Sequence, residues 1–118
     1  MATCKDKPRE ADVQQAIRLA LGLEPGLVMF RNNIGAAVHH DSGRPVQYGV
    51  GGKGGSDLIG LLNGRFIALE IKRPGGKVTA EQWGFIDLIR HNGGFAAIVH
   101  SVDEAKQAIE RAKRGEMG

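Results

Sequence analysis

Residues 57–72 read Asp57-Leu58-Ile59-Gly60-Leu61-Leu62-Asn63-Gly64-Arg65-Phe66-Ile67-Ala68-Leu69-Glu70-Ile71-Lys72. Two strand-like apolar runs flank Asn63-Gly64, the dipeptide that best tolerates the positive φ angles of a two-residue hairpin turn. The stretch therefore predicts an antiparallel hairpin. Alternation divides its second strand: Ile67, Leu69 and Ile71 point one way, and Phe66, Ala68, Glu70 and Lys72 the other. A tight turn at Asn63-Gly64 carries Asp57, at the start of the first strand, to the end of the second. Two carboxylates and an ammonium then meet where a loop enters the sheet.

Downstream, Pro74-Gly75-Gly76 ends the strand, and Thr79 caps a helix running to about His91. Trp83, Ile86, Ile89 and Arg90 fit its helical spacing, with Phe85 and Leu88 widening the apolar stripe. Gly93-Gly94 closes that helix. Phe95 to Val99 is wholly apolar and reads as a central strand. Ser101 and Glu104 have capping-box spacing before a final helix from Val102 to about Lys113. Upstream, Val13, Ile17, Ala20 and Leu21 fall on one face of a helix from Glu10 to Leu21. Leu27 to Phe30 reads as a strand. Gly35 to Gly55 is glycine-rich and reads as loop, with one short strand at Val46 to Tyr48.

The strand–helix–strand unit from Arg65 to Val99 implies parallel strands and a right-handed crossover, whereas the hairpin is antiparallel. The fold class is therefore α/β, a mixed sheet with helices on both faces. With 118 residues the chain is expected to form one domain, 1–118, with its core over about 10–112. Its single cysteine, Cys4, excludes an intrachain disulfide and a cysteine zinc site. No apolar run is long enough for a membrane span, and the charged stretch from Met1 to Ala11 has no signal-peptide character. A cytoplasmic protein is the expectation. The net charge of +3 permits an anionic partner. Aromatics at 5% argue against a surface that stacks single-stranded bases.

Several motifs compete for a functional reading. Gly49-Val50-Gly51-Gly52-Lys53-Gly54 matches the dinucleotide-binding glycine pattern, but a strand follows it where that site needs a helix. A nucleotide-binding regulatory domain would rest on this match alone. Neither Lys53 nor Lys77 precedes Ser or Thr, which removes a P-loop. His39-His40 could ligate a metal, but no carboxylate stands at helical spacing to assist, and adjacent loop histidines are commonly just solvated. Glu-x-Lys occurs twice. Glu104 and Lys106 lie on a helix, where positions i and i+2 do not face each other. Glu70 and Lys72 lie on a strand, beside Asp57. Facing carboxylates need a proton or a cation to neutralise them, and Mg²⁺ takes a few carboxylates while keeping several waters. Water on such an ion loses its proton readily, and a neighbouring lysine can orient it or stabilise developing negative charge.

At these residues the sequence resembles the PD-(D/E)XK nuclease superfamily, and within it the VRR-NUC family, the virus-type replication-repair nucleases. The resemblance is carried by Gly55-Ser56-Asp57-Leu58-Ile59-Gly60 and Ala68-Leu69-Glu70-Ile71-Lys72. Glu10-Ala11-Asp12-Val13-Gln14, Arg31-Asn32-Asn33 and Thr79-Ala80-Glu81-Gln82 agree with it. Ser56 stands where the family usually has proline. The resemblance implies a restriction-endonuclease-like fold and a deoxyribonuclease dependent on Mg²⁺ or Mn²⁺. It further implies that Asp57, Glu70 and the Ile71 backbone carbonyl hold the metal, and that Lys72 positions the attacking water. Glu10 would complete or tune the metal site, and Gln82 would touch metal-bound water or phosphate. Each of these last two has a plainer role open to it: Glu10 complements a helix N-terminus, and Gln82 fits a capping box with Thr79. Arg31, Lys53, Arg73 and Lys77 are candidate DNA phosphate contacts, or ordinary solvated cations.

Flapped or four-way-junction DNA is the substrate class that the resemblance implies. Symmetric cleavage of a junction needs two active sites, so a homodimer is expected. The competing class is a non-catalytic nucleic-acid-binding module that keeps the nuclease fold.

Overall fold

The hairpin forms at the expected register. In the computed structural model, which describes residues 9–118, β4 (Leu58–Leu62) pairs antiparallel with β5 (Arg65–Ile71), Leu62 opposite Arg65 and Leu58 opposite Leu69. Asn63 and Gly64 both have positive φ, 48° and 88°, as a primed two-residue turn requires. Extending the ladder by one step sets Asp57 across from Glu70.

Two further strands complete the sheet. β1 (Leu27–Arg31) pairs antiparallel with β4, and β6 (Phe95–Val99) pairs parallel with β5. The order is β1-β4-β5-β6, a mixed sheet. β6 is thus an edge strand and not the central one its composition suggested. It is apolar because both its faces are covered, and Ala96 N–H donates to Met117 O at 3.0 Å, so the C-terminal segment shields its open side.

The two faces of β5 lead into separate clusters. Ile67, Leu69 and Ile71 pack with Val13, Ile17 and Leu21 of α1 (Glu10–Leu21) and with Ala105, Ala108, Ile109 and Ala112 of α3 (Val102–Lys113). Ala68 on the opposite face meets Ala96 and the buried Phe85 and Ile86 of α2 (Ala80–His91). Trp83 and Leu88, read as part of the α2 stripe, are exposed, since α2 rests on the sheet along a narrower line through Phe85 and Ile86. Thr79 and Gln82 make a complete capping box. Ser101 caps α3 through Glu104 N–H, but the Glu104 carboxylate accepts from His100 N–H instead of closing the reciprocal bond.

The glycine-rich middle holds more structure than expected. β2 (Gly35–Val38) and β3 (Pro45–Tyr48) pair antiparallel as a separate two-stranded arm, and Gly52–Gly54 forms one 3-10 turn. The reading of Met1 to Ala11 as free of a signal sequence, and Cys4, fall wholly or largely outside the described residues. Among the described residues no helix is long and apolar enough to cross a membrane.

Candidate active site

Asp57 sits where the chain enters β4. Its backbone carbonyl accepts from Asn32 N–H at 2.8 Å, and its Oδ2 accepts from Ile71 N–H at 2.8 Å. The carboxylate is thereby tied to the far end of β5, and the Ile71 carbonyl belongs to the same end of the ladder.

Glu70 is 1% exposed. Its Oε2 accepts a long bond from Gln82 Nε2 at 3.4 Å and lies 3.9 Å from Lys72 Nζ. Its Oε1 is buried and has no hydrogen-bond partner. Burial pushes the Glu70 carboxyl up to about 9; the neighbouring Asp57 carboxylate adds to this, Lys72 opposes it, and Glu10 contributes a smaller upward push. The neutral acid is thereby favoured over the carboxylate. A cation delivered to Oε1 would displace the acid's proton.

Gln82 takes the capping role that sequence left open and also reaches Glu70. Its Oε1 accepts from Thr79 N–H at 2.9 Å, which closes the capping box, and this leaves Nε2 for Glu70. Glu10 opens α1 and lines a cleft of about 260 Å³ together with Asp57, Arg31 and Asn32. Lys72 has a side chain only 12% exposed, held beside Glu70.

The four candidate phosphate contacts separate. Arg31 stands in the cleft with Asp57. Lys53 is 3.4 Å from Glu81 Oε2, across the gap between the 3-10 turn and α2. Arg73 and Lys77 are exposed on the turn that follows β5, outside the residues that line the cleft. His39 and His40 lie at the tip of the arm, where His40 Nδ1 faces Asp41 at 3.2 Å and His39 Nδ1 accepts from Ser42 N–H.

Among the described residues, no three histidine, cysteine or acidic side chains gather into a ready-made metal cage. Magnesium does not require one. It binds through one or two carboxylates and keeps its remaining positions for water and phosphate oxygen. Asp57, Glu70 and the Ile71 carbonyl are hard oxygen donors, and the unpartnered Glu70 Oε1 is the buried polar atom that such an ion would satisfy.

Asn32, marked in the sequence only as part of the Arg31-Asn32-Asn33 run, has a structural role that the sequence did not reveal. It is buried, at 9% exposure, and its side chain bonds Val50 and Ser56. A polar residue closing an apolar strand and facing a glycine-rich loop was the available signal.

A four-stranded mixed sheet with helices on both faces, bearing Asp at the entry of one hairpin strand and Glu-x-Lys at the end of the next, has a restriction-endonuclease-like architecture. The VRR-NUC domain family model matches residues 22–103, well over half of the chain. The chain belongs to the VRR-NUC family, and its function is of the nuclease type. The match takes in Asp57, Glu70, Lys72 and Gln82 and leaves Glu10 outside it. A comparison with curated proteins finds no match.

Proposed function

We propose that the protein is an endonuclease that hydrolyses DNA phosphodiester bonds with Mg²⁺ or Mn²⁺. The observation that carries this reading is the buried, unpartnered Glu70 Oε1 beside Asp57. An acid held this far from water, with a second carboxylate as neighbour, is costly to ionise unless a cation compensates its charge. Asp57, Glu70 and the Ile71 carbonyl would hold the ion, with Glu10 at the rim of the cleft. The ion, when bound, supplies Lewis-acid activation of water and offsets charge on the phosphate.

The chain's own residues do the rest. Asp57 is oriented by Ile71 N–H. Lys72 is mostly buried, so little water screens its ammonium, which orients the attacking water and stabilises charge developing on the phosphate. Gln82 steadies Glu70 from α2 and presents an amide to the same space. Arg31 fits a phosphate contact best, because it shares the cleft with Asp57. Lys53, Arg73 and Lys77 would guide DNA from further out.

Branched DNA, flapped or four-way, is the proposed substrate, cut by a homodimer that supplies one site per strand. The test is a panel of end-labelled linear, flapped and four-way DNAs with Mg²⁺, Mn²⁺ or EDTA. Cleavage that requires metal and favours a branched member supports the reading. Binding without cleavage in either metal would replace it with the non-catalytic module.

A further inference from the structure

Asn32 makes four hydrogen bonds, all to two short segments. Nδ2 donates to Val50 O at 2.7 Å and to Ser56 O at 3.0 Å, Oδ1 accepts from Val50 N–H at 3.0 Å, and its backbone N–H donates to Asp57 O at 2.8 Å. The Ser56 and Asp57 carbonyls belong to the two peptide units on either side of the Asp57 Cα. Both are pinned to one residue, so the backbone rotation that aims the Asp57 side chain is held from both sides.

The bonds to Val50 fasten the glycine-rich loop at the same time. That loop is wedged: a Cβ on Gly55 would collide with Val50 O and approach Asn32 Nδ2 to 3.1 Å, and a Cβ on Gly54 would collide with the Glu81 carbonyl of α2. Asn32 on one side and the first turn of α2 on the other therefore set a fixed spacing. That turn also carries Gln82.

We infer that Asn32 is a positioning residue for the proposed nuclease centre, fixing the backbone around Asp57 and, through the loop, the distance from Asp57 to the Gln82 end of α2. The inference rests on the nuclease reading above. Groups that orient a metal-holding carboxylate affect ion affinity and rate by about 10–100-fold when removed. A displacement of about 1 Å at such a site is enough to cost a hundredfold in rate.

The test compares wild type with Asn32→Ala at a temperature where circular dichroism shows both fully folded. Mn²⁺ binding is measured without DNA, by the loss of the free-ion spin-resonance signal, and DNA binding is measured in EDTA. The expected result is Mn²⁺ affinity lower by about tenfold or more, a matching rise in the Mg²⁺ needed for cleavage, and DNA affinity in EDTA within about twofold of wild type. A folded variant with wild-type Mn²⁺ affinity and Mg²⁺ requirement would overturn the inference, leaving Asn32 only a stability role. If Asn32→Ala does not fold, Asn32→Ser, which keeps a hydroxyl in the pocket, is read by the same criteria. Wild type that neither binds Mn²⁺ nor cleaves would instead count against the nuclease reading itself.

Discussion

The Glu70 carboxyl is pushed upward by burial beside Asp57, the opposite sign from that usual for a carboxylate. Its folded-state value lies near 9 against 4.5 for an ordinary glutamate, so between those limits the folded chain keeps a proton that the unfolded chain gives up. Its contribution to stability is complete below about pH 4.5 and is lost as pH rises toward 9. Thermal unfolding in EDTA should show wild type losing stability relative to Glu70→Gln across that window, and Mg²⁺ should narrow the difference. Parallel pH profiles for the two proteins would contradict this. Lys72 is no metal ligand, so Lys72→Ala should lose about 100-fold or more of cleavage while Mn²⁺ still binds. Lys106→Ala is the control expected to leave cleavage unchanged; its helical neighbour Glu104 is engaged with His100 and makes a poorer control. Asp57, Glu70 and Lys72 were legible as a cluster because alternation and a two-residue turn fix which side chains share a face and an end of the ladder. Asn32 was not legible as part of that cluster, because its partners are backbone groups of a loop whose path no periodicity describes.

At the scale of elements, the loop and α2 depend on close backbone approach at one glycine and tolerate change at another. Gly54 abuts the Glu81 carbonyl, so Gly54→Ala must push α2 away from the loop, at a cost of about 1–3 kcal/mol. Gly84, within α2, has nothing within 4 Å of an added Cβ, and Gly84→Ala should stabilise by roughly 0.5–1 kcal/mol from helix propensity. Urea denaturation measures both, and opposite signs are the expectation; equal effects would mean that the loop does not bear on α2. The hairpin, the helices and the parallel return strand were readable because each carries a period and a cap or turn. The arm was only half readable. Val46 to Tyr48 has strand character, but Gly35-Ala36-Ala37 is small and largely exposed, with no alternation to mark it. The edge position of β6 is not legible for a related reason: full burial of a strand says that both faces are covered and nothing about its neighbours in the sheet.

At the scale of the whole molecule, one chain offers one cleft at the hairpin end, and a branched DNA has two strands to cut. Light scattering at high concentration should give twice the chain mass; a monomer mass there would remove the dimer from the proposal. Everything at this scale depends on whether the Asp57–Glu70–Lys72 end of the hairpin is where phosphodiesters are cleaved. Glu70→Gln keeps the side chain's shape and removes the charge that would hold the ion. The most direct measurement is its cleavage of labelled branched DNA in Mg²⁺, beside wild type in Mg²⁺ and in EDTA, with DNA binding followed on the same samples. Wild type should cleave only with Mg²⁺, while Glu70→Gln should bind DNA at least as well as wild type and leave it intact. Cleavage by Glu70→Gln at the wild-type rate would contradict this expectation.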